Sequence, residues 1–127
     1  MGGEAWFFRH ITLDGVYPNG YNRLMFTIND TSVFRGWLKK LKDPVGKVAV
    51  LRRIGRAQKG NFGDHKSVGE GVFEMRIPTG PGYRVYYMQT GEVVYLLLVG
   101  GDKSSQQDDI EKAQQMAAEI REETNDD

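Results

Sequence analysis

Cysteine is absent from the 127 residues, which excludes a disulfide framework and thiolate metal ligation and leaves no sign of an oxidising compartment. Histidine is scarce. His10 and His65 are the two in the chain, too far apart for metal-ligand spacing, so no metal and no cofactor is expected. Long apolar runs are missing as well: the longest, VVYLLLV at Val93–Val99, falls far short of the roughly 20 residues that a membrane-spanning helix needs. The N-terminal MGGEAWFFRH has neither a basic n-region nor a long apolar h-region, so it does not read as a secretory signal. A cytoplasmic protein with no membrane partner is the expectation.

Net charge is also lacking, with 17 Lys and Arg against 17 Asp and Glu, but the balance hides a polarity. Thirteen basic and six acidic residues lie between Thr31 and Lys103, whereas two basic and eight acidic residues lie from Ser104 to the end. A basic body with an acidic C-terminal segment suits a polyanionic partner, because local charge sets the field a ligand meets. A hydrophobic content of 39% in 127 residues supports one core and not two. Residues 1–24 show no sustained period and read as an extension, dispensable or non-native; the domain is expected over 25–122, with an acidic tail at 123–127.

Hydrophobic spacing gives the elements. MFTIN from Met25 reads as a short strand followed by the capping cluster Asp30, Thr31 and Ser32. Phe34, Trp37, Leu38 and Leu41 form a helical stripe over Ser32–Lys42. Asp43 and Pro44 stop that helix and start a second, extending to about Lys59 before Gly60, with Val45, Val48, Leu51 and Ile54 on its expected buried side. Arg52, Arg53, Arg56 and Lys59 then form a basic stripe that is either solvated or an electrostatic stripe for nucleic-acid phosphates.

The segment Asn61–Gln106 carries the strand patterns. Asp64–Gly69 reads as a short strand in which Lys66 and His65 point to opposite faces, with the following glycines able to hold a bulge. VFEMRI and YRVYYM alternate with period two around the turn Pro78–Gly82, as in a hairpin. Keeping Phe73, Met75, Ile77, Tyr83, Val85 and Tyr87 on one face puts Arg76 opposite Arg84 and Glu74 opposite Tyr86. Two arginines so placed repel by roughly 0.2–1 kcal/mol, which leaves either an anion bound between them or two side chains fanning into water with Glu74 as a local counter-ion. EVVYLLLV fits a central strand buried on both faces. Lys103 falls where that strand hands over to a helix that Ser105 and Asp108 could cap, a position that favours anions. Asp102 breaks the spacing of a phosphate loop, so nucleotide hydrolysis is not expected. The fold class is α+β: a small antiparallel β-sheet packed on an N-terminal helix pair, with a C-terminal helix.

Three stretches, GNFGDHKSVGEGVFEMRI, GPGYRVYY and LLLVGGDKSSQQDDIEKA, together resemble the RelE/ParE superfamily of type II toxins. The likeness is to its HigB-like branch of addiction-module killer proteins and spans about Met25 to Arg121. It implies a toxin neutralised by a cognate antitoxin, expected to be a small helix-turn-helix DNA-binding protein. It also implies a ribosome-dependent mRNA endonuclease, an mRNA interferase that inhibits translation by metal-free 2′-hydroxyl attack. The arginine of the family's Gly-Tyr-Arg motif is Arg84 here, and the neighbouring basic positions fall on Arg76 and Lys103. Where some members carry a second basic residue this chain has Glu74, and no tyrosine follows Ser104 to match the C-terminal catalytic tyrosine of the type member.

The candidate catalytic set is therefore Arg84 and Arg76 on the phosphate, Glu74 as base, and His65 or Tyr86 as proton donor, with Tyr86 alternatively a stacking platform. Candidate RNA contacts are Lys66, Lys103, Arg52, Arg53, Arg56 and Lys59. Two alternatives keep the fold and drop the chemistry: a ParE-like gyrase inhibitor, or a non-catalytic antitoxin-binding module.

Overall fold

A computed structural model of the protein describes residues 8–11 and 25–125. The fold is α+β, as expected: a six-stranded sheet with helices on its faces. The strands are β1 (Phe8–Ile11), β2 (Thr27–Thr31), β3 (His65–Gly69), β4 (Val72–Ile77), β5 (Tyr83–Gly91) and β6 (Val94–Asp102), and the helices are α1 (Ser32–Lys40), α2 (Pro44–Gln58) and α3 (Gln106–Asn125). The spatial order is β1-β2-β6-β5-β4-β3. Every neighbouring pair is antiparallel except β2 and β6, which run parallel.

The helices occupy both faces of the sheet. Ile28, Met75, Ile77, Tyr83, Val85, Tyr87 and Leu97 pack with Phe34 of α1 and with Val50, Ile54 and Ala57 of α2. On the opposite face Val72, Tyr86, Met88, Leu96, Leu98 and Val99 pack with Ala113, Met116, Ala117 and Ile120 of α3. The physical reason lies in β6: a run apolar on both sides must be covered on both sides, and α3 supplies the second cover.

Local chemistry ends the helices where expected. The Thr31 side chain caps α1 by accepting the Phe34 N–H, and its hydroxyl donates to the Leu98 carbonyl, which ties β2 to β6. Asp43 caps α2 through the Gly46 N–H, with Pro44 in the first turn. The buried side of α2 is Gly46, Val50, Arg53, Ile54, Ala57 and Gln58, so the expected apolar set is rotated: Val45 and Val48 are exposed. Gly46 explains the rotation, since a Cβ there would run into the Tyr83 ring and only glycine lets helix and strand meet.

Asp102, not Ser105, caps the turn at Lys103–Ser105, accepting the Ser104 N–H, while Ser105 donates to Asp109. Burial raises the Asp109 pKa, with the Ser105 bond opposing it. The acidic residues expected as a tail from 123 begin inside α3, which continues to Asn125. Within 1–24, Phe8–Ile11 pairs with β2 as an edge strand; the rest of that expected extension lies outside the described residues.

Candidate functional site

The hairpin register is the one that alternation demanded: Arg76 lies opposite Arg84, Glu74 opposite Tyr86, and Ile77 opposite Tyr83. Residues directly across a ladder share a face. Glu74, Arg76, Arg84 and Tyr86 therefore lie on the α3 side, and Met75, Val85 and Tyr83 on the side of the helix pair.

Repulsion between the two guanidinium groups is relieved by Glu74, which is fully buried. One carboxylate oxygen, Oε2, accepts from the Tyr86 hydroxyl at 3.0 Å and from Gln106 Nε2 at 2.9 Å. The other, Oε1, faces Arg84 Nη1 at 3.4 Å and Arg76 Nε at 4.0 Å without a hydrogen bond. The carboxylate is thus clamped on one oxygen and presents the other to both cations.

A cleft of about 390 Å³ opens beside this pair, lined by Arg76, Arg84, Lys103, Asp64 and Tyr83 and floored by the 78–82 turn. Lys103 reaches it from the strand-to-helix junction. Gly80 and Gly82 have φ of 57° and 85°, a backbone conformation that glycine adopts freely and that lets the turn fold back under the cleft. The turn is held to α2 as well. Tyr83 donates its hydroxyl proton to Asp43 Oδ2 at 2.7 Å, which lowers the Asp43 pKa and, with burial, pushes that of Tyr83 up to about 12.

Over 93 residues, 73% of this chain and 94% of the other, the sequence is 50% identical to an uncharacterized protein of Haemophilus influenzae. The chain belongs to that protein's family. No family model and no solved structure matches it.

Several expected assignments change. Glu74 has no exposed surface with which to meet a substrate hydroxyl, so it is a counter-ion for the arginines and not a general base. Tyr86 is buried beneath α3 within the apolar cluster there, which rules out its roles as proton donor and stacking platform. Its pKa is driven up, first by burial and then by the Glu74 charge. His65 pairs with Met75 and so points to the helix-pair side, away from the arginines; its Nδ1 lies 2.8 Å from the Gly63 carbonyl. Lys66 is the residue of β3 that registers with Glu74, on the arginine face but outside the cleft lining.

The basic stripe of α2 divides in the same way. Arg52, Arg56 and Lys59 are exposed and none of them lines the cleft. Arg53 is buried, with its guanidinium donating to the carbonyls of Arg76 at 2.5 Å, Phe62 at 2.8 Å and Asp64 at 3.4 Å. It is therefore a strut and not an RNA contact, and burial lowers its pKa. Gly63, at φ 65°, is required beneath it, because a Cβ would sit 2.5 Å from Arg53 Nη2.

Three residues of the site were not singled out from the sequence. Asp64 pairs with Arg76 Nη2 at 3.0 Å, Tyr83 forms the cleft wall, and Gln106 clamps Glu74. The available signal was weak: Asp64 follows a glycine at the entry to a strand, which marks a turn but does not reveal which surface the turn faces. Among the described residues no helix is long and apolar enough to cross a membrane.

Proposed function

We propose that this protein is the toxin of a type II toxin–antitoxin pair of the RelE/ParE kind, HigB-like, acting in the cytoplasm as a ribosome-dependent mRNA endonuclease. The observation that carries the reading is the convergence of Arg76, Arg84 and Lys103 on one cleft, which suits an RNA phosphodiester. Arginine stays charged and can grip two phosphate oxygens at once. In 2′-hydroxyl attack, charge builds on the non-bridging oxygens as phosphorus becomes five-coordinate. A preorganised donor at that position contributes about a hundred- to a thousandfold in rate. Glu74 assists indirectly, because a clamped carboxylate lets two like charges stand together before the phosphate arrives. The partner that neutralises the toxin is its cognate antitoxin, a small helix-turn-helix DNA-binding protein.

A second reading, in which the same fold acts without nuclease chemistry as a gyrase inhibitor or antitoxin-binding module, is favoured by one observation. Glu74 and Tyr86 are buried and His65 is on the other face, so the expected proton-transfer groups do not meet at the cleft. One experiment separates the readings: a defined mRNA is translated with purified protein and its 5′ ends are mapped, with Arg84→Ala as control. Cleavage that disappears in the variant supports the nuclease. Intact mRNA with blocked DNA supercoiling supports gyrase inhibition, and neither effect leaves the antitoxin-binding module.

A further inference from the structure

We propose that Asp64 is the general base of the cleft. The inference rests on the nuclease reading and supplies the group which that reading lacks. The ionisable residues lining the cleft are Asp64, Arg76, Tyr83, Arg84 and Lys103. A guanidinium has no acceptor and does not deprotonate, and a lysine ammonium likewise only donates. Tyr83 commits its hydroxyl proton to Asp43. Among the described residues, Asp64 is the one lining side chain whose ordinary ionised form accepts a proton.

Its position is built. The Asp64 carbonyl accepts the Arg76 N–H at 2.9 Å and the Arg53 guanidinium at 3.4 Å, and the Gly63 N–H is held by the Asn61 side chain at 3.1 Å. Backbone bonds on both sides of the residue thus aim its side chain at the cleft, where Oδ1 accepts from Arg76 Nη2 at 3.0 Å. The carboxylate remains 59% exposed, in contrast to the buried Glu74. A ribose 2′-hydroxyl lies one carbon away from the 3′-phosphate it attacks, so its base must stand beside the cation that grips that phosphate. Asp64 stands beside Arg76 in this way. The charged groups facing it are Arg76 of β4, Arg53 of α2, and Arg84 and Lys103 across the cleft, and all of them are cationic.

The step balances with groups of the cleft. The 2′-hydroxyl proton passes to the Asp64 carboxylate as the 2′-oxygen–phosphorus bond forms. The phosphorus–5′-oxygen bond breaks, and the 5′-oxygen takes a proton from the Lys103 ammonium. The products are a 2′,3′-cyclic phosphate and a 5′-hydroxyl, and solvent then restores both protonation states.

The test compares the wild type with Asp64→Asn and Asp64→Glu on the same translated mRNA. It is accompanied by binding of a single-stranded RNA in which the 2′-hydroxyls are replaced by 2′-methoxy groups, and by thermal melts. Asp64→Asn is expected to cut about a hundred- to ten-thousandfold more slowly. It should bind the uncleavable RNA at least as well as the wild type, because a negative charge beside Arg76 has gone. Asp64→Glu should recover part of the rate. A folded Asp64→Asn that cuts within about threefold of the wild type would overturn the assignment while leaving the nuclease reading intact. A wild type that leaves the mRNA whole removes both.

Discussion

Tyr83 and Asp43, forty positions apart in the chain, are joined by a 2.7 Å hydrogen bond that fastens the hairpin turn to the N-terminus of α2. The bond makes stability pH-dependent at both ends. The folded Asp43 pKa is depressed, chiefly by the Tyr83 hydroxyl, so its contribution is present above the ordinary value of 3.8 and is lost as pH falls through the depressed value. The Tyr83 pKa is raised from 10.0 to about 12, so its contribution is complete below pH 10 and disappears as pH rises through about 12. Tyr83→Phe is expected to lower the melting temperature between these limits and to weaken the alkaline loss of stability, the share due to the raised pKa values of Tyr86 and Tyr87 remaining, which a series of thermal melts across pH would record.

Glu74 offers a second test, since its charge is fully buried between two guanidiniums. Replacement by leucine leaves Arg84, itself only 13% exposed, without its partner. Removing one member of a buried pair costs about 3–5 kcal/mol, a loss that urea denaturation would resolve. Glu74→Gln keeps the shape and the amide-compatible bonds to Tyr86 and Gln106, and should cost less.

Gly100 is the point at which α1 meets the sheet, with the Trp37 ring lying where a Cβ would project. Gly100→Ala is expected to destabilise the fold by about 1–3 kcal/mol through overpacking, with an unchanged denaturant m-value as the sign that the unfolded state is unaffected.

On the proposed nuclease reading, salt dependence should distinguish Arg76, Arg84 and Lys103, which line the cleft, from Arg53, which holds the fold. Arg76→Ala, Arg84→Ala and Lys103→Ala should each reduce the slope of log affinity against log salt for single-stranded RNA by about 0.7. Arg53→Met should leave that slope unchanged. It should instead destabilise the protein, by about 1–3 kcal/mol for each carbonyl left without a donor, because its guanidinium is spent on the backbone of Phe62, Asp64 and Arg76.

Sequence alone determined the parts of this protein that depend on local periodicity. Alternation in VFEMRI and YRVYYM sufficed to pair Arg76 with Arg84, because a slip of one residue would expose an entire apolar face. Asp43 and Pro44 marked the start of α2 for reasons confined to one helical turn. What only the tertiary structure decided is which polar groups are buried and which reach a common cleft. Glu74 and Asp64 are both carboxylates near arginines, yet α3 covers the first, while Arg53 and the tight turn at Gly63 turn the second outward. Arg52 and Arg53 are adjacent in the chain and differ only in which side of the helix meets the sheet. That rotation was set by Gly46 making room for the Tyr83 ring, a contact between distant residues that no local pattern contains.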